Sequence, residues 1–390
     1  MRCVRSNPKC MLAGLLLAAS LATLACAQPA PPTPTPAAKA PAAAPPTPAP
    51  KPAATAAPQP TRPAPSTPSA AKPAEVTLVR SSHLGVASDA YTYIALEKGY
   101  FRDEGLNVEL TALDTAAKMI APMAANQLDV GGGSLSAGLL NAIVRDVPIK
   151  IVADRSRLSP DPNRQAFGLA ARKDLIASGA LKDYSDMRGK NVAFNFKGTG
   201  NELDVEKALK KGNLSWADVN AVEMAFADMI AAFGNKAIDV SLIFEPFVTI
   251  GRDRGVADLW KPAIDFAPDR QMAILMYSPG FIKEKPEAAK RFMVAYVKGI
   301  RDYYNAFFKN QNKTEVIGIL TKYSNTKDPA MFEKMAPHGI DPNGSLNVKG
   351  ILEDRDWFEA KGYTKDKLDE KALIDQQYLE YALQRLGKYQ

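Results

Sequence analysis

The sequence has little cysteine and histidine, and this shortage argues against several kinds of site. Its three cysteines, Cys3, Cys10 and Cys26, all lie in the first 26 residues of a chain of 390. The rest of the chain therefore has neither a disulfide nor a thiol nucleophile. The two histidines, His83 and His338, are far apart in sequence, so zinc sites and Cys–His pairs are disfavoured, and a Ser–His–Asp triad would have to use one of them. We expect no metal and no cofactor.

Acidic residues are absent from residues 1–74, and this absence explains the net charge of +7. Seven of the 49 basic residues lie in that stretch, which leaves 42 basic against 42 acidic residues for 75–390. The part of the chain able to fold is formally neutral. A basic surface for nucleic acid is therefore not indicated, because such a surface needs clustered positive charge on the folded domain.

A basic and then apolar N-terminus predicts export. Three basic residues precede the apolar run Met11–Ala25, which ends in small residues just before Cys26. This pattern is typical of a secretory signal peptide and is too short for a permanent membrane span. Thr23–Cys26 is similar to a bacterial lipobox, although Thr23 stands where leucine is more usual. We predict a lipoprotein signal peptide over 1–26 with Cys26 lipidated; ordinary cleavage near Ala25–Ala27 is the alternative.

Residues 27–75 are predicted to be a tether. Seventeen of the 30 prolines lie in 27–74, among alanine, threonine and serine. Such a composition cannot form a core and prefers extended polyproline II, which at about 3.1 Å per residue reaches on the order of 100 Å. A long tether is useful to an anchored protein, so the expected location is a periplasmic or cell-surface lipoprotein attached to a membrane.

Strand and helix patterns alternate after residue 76, which predicts an α/β fold. Short apolar strands are expected at 76–80, 107–110, 128–131 and 149–153, with helical patterns between them. Alternation of this kind predicts a parallel sheet with its binding crevice at the carboxyl ends of the strands. The long helical pattern of residues 286–308 has aromatic residues at core spacing.

Three polar turns follow predicted strands and mark the expected crevice. They are Ser81–Gly85, the glycine turn ending at Gly133-Ser134, and Lys197–Gly200. The last turn opens the helix of residues 202–211, so backbone N–H groups and the hydroxyls of Ser134 and Thr199 can receive an acidic or carbonyl group. The alternative is an ordinary capped turn. A nucleotide P-loop is excluded, because its Gly-Lys-Ser/Thr is missing.

Several ordered motifs indicate a family. The run YIALEKGYFRDEGLNVEL at Tyr93–Leu110, AANQLDVG at Ala124–Gly131 and FEPF at Phe244–Phe247 resemble the NMT1/THI5-like solute-binding proteins. These proteins serve ABC importers of nitrate, sulfonates, taurine and thiamine precursors. The resemblance extends over residues 76–387, and KGYFRDEGLNVE is its most specific part.

The resemblance implies a type II periplasmic-binding-protein fold, with two doubly wound lobes joined by two crossing segments. We place lobe 1 at 76–171 and 272–390 and lobe 2 at 172–271, with crossings at 167–172 and 272–277. The implied function is non-enzymatic capture of a small organic ligand and its delivery to ABC permease subunits, by a monomer. The alternatives are an enzyme of the thiamine-pyrimidine type, whose cysteine-rich motif is missing here, and a ligand-sensing protein for a membrane partner.

The expected ligand-binding residues lie on the crevice turns or at strand ends. For Glu245 a hydrogen bond bridging the lobes is an equal alternative. The set consists of Ser82, His83, Asp89, Gly133, Ser134, Lys197, Gly198, Thr199, Gly200 and Glu245.

Overall fold

A computed structural model describes residues 76–113, 115–159, 161 and 164–390 of the chain. Cys26 and the tether of residues 27–75 lie outside this range. The described residues form ten strands and sixteen α-helices. The strands are β1 Thr77–His83, β2 Leu106–Ala112, β3 Val130–Gly133, β4 Lys150–Arg157, β5 Phe167–Arg172, β6 Asn191–Phe194, β7 Asn220–Glu223, β8 Val240–Phe244, β9 Ala257–Pro262 and β10 Gln271–Tyr277.

The helices are α1 Ala90–Glu97, α2 Tyr100–Asp103, α3 Ala117–Ala124, α4 Ala137–Val144, α5 Lys173–Ala177, α6 Gly200–Lys211, α7 Phe226–Gly234, α8 Phe247–Asp253, α9 Ala263–Phe266, α10 Pro279–Glu284, α11 Pro286–Phe308, α12 Lys313–Tyr323, α13 Pro329–Lys334, α14 Val348–Ala360, α15 Glu370–Leu373 and α16 Gln377–Leu386. Among these described helices, not one combines the length and the apolar character that a membrane crossing needs.

Lobe 1 is built on a five-stranded sheet of order β2-β1-β3-β10-β4. Strand β1 pairs in parallel with β2 and β3, whereas β10 is antiparallel to both β3 and β4. The alternating pattern predicts a wholly parallel sheet, and this prediction is wrong for β10. That strand enters the sheet after the chain has crossed to lobe 2 and returned, so its direction is set by the crossing.

Lobe 2 is built on a second sheet of order β7-β6-β8-β5-β9, in which β6 is parallel to β7 and β8 and β5 is antiparallel to β8 and β9. Strand β5 is the stretch that the sequence predicted as a crossing segment of lobe 1. Its alternate residues Phe167, Leu169 and Ala171 enter the lobe 2 core, and both its edges are hydrogen-bonded there. Strand β5 thus pairs in the sheet of lobe 2, whereas the sequence places residues up to 171 in lobe 1.

Each sheet is covered by helices on both faces. In lobe 1, α1, α11, α12 and α16 bury one face, and α3, α4 and α14 bury the other. The long helix α11 has the bounds predicted from its pattern, and Phe292, Tyr296 and Ile300 on it are buried. In lobe 2, α6 and α9 cover one face and α7 and α8 the other. Two doubly wound lobes confirm the predicted fold class.

The glycine run Gly131–Gly133 is a strand and not the predicted turn. A Cβ atom on Gly131 would lie 2.7 Å from the sulfur of Met123, and one on Gly132 would collide with the Arg155 guanidinium. These glycines allow side chains to approach the sheet closely, which a sequence pattern cannot distinguish from a turn.

Candidate functional site

The two lobes meet at the carboxyl ends of their parallel strands. The turn after β6 lies against the start of α4, where the Ala137 N–H donates to the Gly198 carbonyl at 3.3 Å. Ser136 and Thr199 form an isolated antiparallel bridge at the same place. The structure thus brings together the turn that follows Gly133-Ser134 and the turn Lys197–Gly200, and the space beside this contact is the candidate ligand site.

The turn Lys197–Gly200 of lobe 2 is held mainly by hydrogen bonds within lobe 2. Gly198 has φ +69°, a conformation that glycine adopts without strain, and its N–H donates to a carboxylate oxygen of Glu202 at 2.8 Å. The Thr199 hydroxyl donates to the Phe196 carbonyl at 2.6 Å and does not cap α6. Gly200 is buried against the Arg270 guanidinium. A ligand at this turn has to share the N-terminus of α6 with Glu202.

Lys197 and Tyr363 flank that turn. Lys197 is exposed, and its ammonium lies 3.5 Å from the Glu223 carboxylate. The Tyr363 hydroxyl, from lobe 1, donates to Glu202 at 2.8 Å. Burial and the neighbouring Glu202 raise the pKa of Tyr363 to about 12, so its hydroxyl stays protonated. Tyr363 therefore fastens lobe 1 to the first turn of α6.

Three serines of lobe 1, Ser82, Ser134 and Ser136, differ in the hydrogen bonds that their hydroxyls make. The buried Ser82 hydroxyl donates to the sulfur of Met119 at 3.1 Å, so it points into the lobe. Ser136 caps α4 by accepting from the Leu139 N–H at 3.3 Å. Ser134, which follows the buried Gly133, is partly exposed and its hydroxyl makes no hydrogen bond to other described residues. Of the three serines, Ser134 is the one with a hydroxyl free for a ligand.

His83 lies at the end of β1 and is partly exposed. Its Nδ1 shares a hydrogen bond of 2.7 Å with the Tyr93 hydroxyl. Burial lowers the pKa of His83, and the positive charge of Arg155 lowers it further. A neutral imidazole at neutral pH follows, with Nδ1 occupied by Tyr93.

Asp89 and Arg155 form a buried ion pair behind the loop of residues 84–89. One Asp89 oxygen pairs with the guanidinium, and the other accepts from the N–H groups of Leu84 at 2.9 Å and Val86 at 3.0 Å. The Nε atom of Arg155 is buried without a hydrogen-bond partner among the described residues. Asp89 therefore shapes the loop and holds Arg155 in place.

Glu245 bridges the lobes. Its carboxylate accepts from the Thr249 N–H and hydroxyl, both at 2.9 Å, and from the Ala336 N–H of lobe 1 at 3.3 Å. Burial raises the pKa of Glu245. Because three donors already surround this carboxylate, the geometry agrees with the bridging alternative stated for it above.

A second bridge lies on the other side of α6. Arg270, buried just before β10, donates through Nε to Asp204 of α6 at 2.9 Å and also pairs with Asp354 of α14. Desolvation raises the pKa of Asp204 to about 6. Lys361 reaches Glu206 of α6 at 2.5 Å. The lobes are thus held together by buried and half-buried charge as well as by the turns.

Sequence reasoning found no sign of Tyr363 or Phe226 at the site, and it favoured an exposed loop arginine for Arg155, which is buried. Phe196, Phe244 and Phe247 were among the aromatic residues expected to flank the crevice loops, where one or two could stack on a planar ligand. With Phe226 they make up a group of phenylalanines. The group, which we call the phenylalanine patch, lies at the crevice edge of lobe 2 and consists of Phe196, Phe226, Phe244 and Phe247. The FEPF motif was the available signal for the last two. Among the described residues there is no cluster of three or more histidine, cysteine or acidic side chains placed to hold a metal.

Solved structures of solute-binding proteins share this two-lobed fold. The nitrate-binding protein NrtA from Synechocystis PCC 6803 matches with a TM-score of 0.63 and 18% identity, over 80% of this chain and 90% of that one. The aliphatic sulphonate binding protein SsuA from Escherichia coli matches with 0.61 and 15%, over 78% and 99%. A desulfurization enzyme, DszB, has the same fold, with 0.55 and 13%, over 80% and 99%.

The family is shown by the sequence itself. Residues 88–306, more than half of the chain, match the NMT1/THI5 like family, and the chain belongs to that family, as its motifs predicted. A binding protein of Brucella abortus (strain 2308), so named provisionally, is 26% identical over 295 residues, which cover 72% of this chain and 84% of that protein. A provisionally named aliphatic sulfonates-binding protein of Bacillus subtilis (strain 168) is 26% identical over 314 residues, with 75% and 84% covered.

Proposed function

We propose that this protein is the extracytoplasmic solute-binding component of an ABC importer, which captures a small organic ligand between its lobes and delivers it to permease subunits. The observation that carries the proposal is the meeting of the two crevice turns, through Ala137 and Gly198, at the carboxyl ends of both sheets. Ligands of doubly wound folds bind at that edge. The family and the named relatives support the same function.

The proposed site combines hydrogen-bonding groups from both lobes. His83 and Ser134 contribute from lobe 1, and the backbone of Lys197–Gly200 contributes from lobe 2. Asp89 and Glu245 support the site, because their carboxylates already accept hydrogen bonds from the protein. Gly133 supports it by allowing close packing. Ser82 points away from it.

Binding without catalysis is the activity that the contacts favour. The acid–base candidates are His83, His338 and Glu245. His338 is buried between the hydroxyls of Tyr91 at 2.7 Å and Tyr303 at 3.0 Å, and burial lowers its pKa to about 3. A general base needs an open nitrogen or carboxylate within reach of a substrate, and neither His338 nor Glu245 offers one. Among the described residues, His83 keeps its Nε2 open beside the bond from Nδ1 to Tyr93, and we assign this nitrogen to hydrogen bonding with the ligand.

Screening by thermal shift tests the proposed function. Sulfonates, aromatic acids, thiamine precursors and flavins are added to the purified protein, with native mass spectrometry to detect a ligand that co-purifies. A ligand at 100 times its Kd stabilises the folded state by about 2.7 kcal/mol, so a clear rise in melting temperature is expected for at least one class. A protein that neither responds to any class nor carries a ligand contradicts the proposal.

Attachment to a membrane through Cys26 is a separate proposal. It rests on the lipobox-like residues Thr23–Cys26 and on the proline-rich stretch that follows them. Cys26→Ser is expected to move the protein from the membrane fraction to the soluble fraction, with Cys10→Ser as the control that leaves it in place. A Cys26→Ser protein that stays in the membrane fraction as fully as the wild type contradicts the anchor.

A further inference from the structure

The phenylalanine patch exposes apolar surface at the end of every parallel strand of lobe 2. Phe196 follows β6, Phe226 begins the helix after β7, and Phe244 and Phe247 lie at the end of β8 and the start of α8. Phe196 is 45% exposed, and the other three are only partly buried. Phe226, Phe244 and Phe247 contact one another at this sheet edge, and Phe196 adds exposed apolar surface beside the turn that follows β6. The lobe does not cover this apolar surface by itself.

Contacts among the rings fix this surface. The ring centroids of Phe226 and Phe244 are 4.4 Å apart with planes at 64°, and those of Phe244 and Phe247 are 5.9 Å apart at 72°. Edge-to-face packing of this kind is a favoured aromatic geometry. Phe226 and Phe247 also rest on the lobe 2 core beneath them. These three rings of the patch therefore form a preformed surface.

The patch lies inside the crevice, because contacts between the lobes bound it on two sides. On one side Phe196 is next to the turn whose Gly198 carbonyl accepts from Ala137 of lobe 1. On the other side Glu245, between Phe244 and Phe247, accepts from the Ala336 N–H of lobe 1. A surface that spans from one interlobe contact to the other faces lobe 1.

Lobe 1 presents polar groups across from it. The free hydroxyl of Ser134 and the half-buried His83 lie at the ends of β3 and β1, and the guanidinium of Arg155 lies behind them without a partner for its Nε. One wall of the crevice is thus apolar and aromatic, and the other offers hydrogen-bonding groups. A ligand that fits both walls has a ring at one end and a hydrogen-bond acceptor, such as a carboxylate or sulfonate, at the other.

Building on the function proposed above, we infer that the ligand is an aromatic acid, a planar ring bearing a carboxylate or sulfonate, whose ring packs on the phenylalanine patch while its acid group faces Ser134. The alternative for the patch is that it serves only to pack the lobes together when they close. The two differ in whether ligand affinity depends on an aromatic ring.

Calorimetry with matched probes tests the inference. The probes are benzoate, benzenesulfonate, and their cyclohexyl and ethyl counterparts with the same acid group. We expect one phenyl probe to bind at least about tenfold more tightly than its ethyl counterpart and about three- to tenfold more tightly than its cyclohexyl counterpart. The better acid group decides between carboxylate and sulfonate.

Variants of the patch complete the test. Phe226→Leu keeps most of the apolar volume and is expected to reduce the preference for phenyl over cyclohexyl to below threefold, and Phe196→Leu, at the exposed position, gives a smaller reduction without loss of folding. Phe308→Leu, a partly buried phenylalanine on α11 of lobe 1, is the matched control and keeps the preference. Apo melting temperatures show whether each variant is folded.

The possible results distinguish the inference of an aromatic ligand from the proposed solute-binding function. Ethyl or cyclohexyl probes that bind as tightly as phenyl probes overturn the aromatic ligand and leave the solute-binding function standing. Unchanged phenyl preference in both Phe226→Leu and Phe196→Leu overturns the placement on the patch. Absence of binding by every probe overturns the inference, and the wider screen described above then decides on the proposed function by itself.

Discussion

The crevice edges of the two lobes are built from opposite kinds of side chain. On lobe 1, polar groups have partners inside the protein: Asp89 pairs with Arg155, and His83 bonds to Tyr93. On lobe 2, the phenylalanine patch leaves aromatic surface uncovered. Polar groups that are already held in place lose little conformational entropy when a ligand binds. Burial of exposed apolar surface by the ligand contributes favourable free energy. The comparison indicates that lobe 1 sets orientation and lobe 2 supplies contact area.

Loss of the buried ion pair behind the crevice edge of lobe 1 is expected to lower the free energy of unfolding strongly. Asp89→Asn keeps the shape of the side chain but leaves the buried Arg155 without its counter-charge. Removing one partner of a buried ion pair typically costs about 3–5 kcal/mol. We therefore expect the free energy of unfolding, measured by urea denaturation, to fall by about that amount.

An exposed ion pair provides the control for that variant. Lys290 and Glu287 pair at 2.8 Å at the surface of α11, and Lys290→Gln is expected to leave the free energy of unfolding almost unchanged, because solvent screens an exposed pair. If Asp89→Asn lowers the free energy of unfolding no more than Lys290→Gln does, the ion pair of Asp89 and Arg155 does not stabilise the crevice edge of lobe 1.

A pH effect is expected from the charged bridge between the lobes. The pKa of Asp204 is about 6 in the folded protein against an ordinary 3.8, so the folded state binds this proton more tightly than the unfolded state. The stability from this group is fully present below pH 3.8 and is lost as the pH rises through about 6, by up to about 1.4 kcal/mol per pH unit.

Asp204→Asn tests that assignment, because it removes the titrating group. Urea denaturation of both proteins between pH 4 and 7 should show the wild type losing stability relative to the variant as the pH rises. A difference between the two proteins that is constant over this range contradicts the raised pKa.

The free hydroxyl of lobe 1 distinguishes ligand contact from structural support. Ser134→Ala removes a group without a partner among the described residues, so apo stability is expected to change by less than about 0.5 kcal/mol. A hydrogen bond to the ligand, once lost, should weaken affinity by about 1–3 kcal/mol, measured by titration calorimetry.

Thr199→Ala is the matched comparison. Before the structure is considered, both hydroxyls are expected to bind the ligand, but the Thr199 hydroxyl donates to the Phe196 carbonyl within its turn. Its loss is therefore expected to lower apo stability by about 1 kcal/mol and to affect affinity less than the loss of Ser134. Wild-type affinity in Ser134→Ala refutes the contact proposed for it.

The smallest expected effect concerns the hydroxyl that joins the lobes. Tyr363→Phe removes the hydrogen bond to Glu202 and should weaken the contact between the lobes by about 1 kcal/mol, which is about fivefold in the affinity for a ligand held between them. Tyr100→Phe is the control, since Tyr100 donates to the Asp302 carboxylate at 2.7 Å within lobe 1. Equal affinity losses in both variants would show that the hydroxyl of Tyr363 has no special part in closure.

Sequence patterns predicted features that depend on near neighbours along the chain. The bounds of α11 followed from its apolar spacing, and the strand–turn–helix around Lys197–Gly200 followed from alternation and two glycines. The family followed from ordered motifs. Each of these signals is contained in a short segment, which makes it readable without the fold.

Features that depend on distant contacts were missed or misread. Strand β5 pairs with β8 and β9, which lie more than sixty residues away along the chain, so its place in lobe 2 is not visible in the local sequence. The glycines of β3 are packed by Met123, Arg155 and Ala116, contacts that a local pattern of glycines does not distinguish from a turn. Tyr363 meets Glu202 across 161 residues of sequence. Such pairings are decided by tertiary packing, and local propensity does not contain them.

If a ligand binds between the lobes, it should change the distance between them, and this distance can be measured. Because the sequence has no cysteine after Cys26, spin labels can be placed by Glu287→Cys on α11 of lobe 1 and Ala231→Cys on α7 of lobe 2, both exposed. The background carries serine in place of Cys3, Cys10 and Cys26, so that only the two introduced thiols are labelled. Double electron–electron resonance is then recorded without and with a saturating ligand from the screen. A shifted and narrower distance distribution is expected when the ligand is bound. Superimposable distributions at saturation would contradict it.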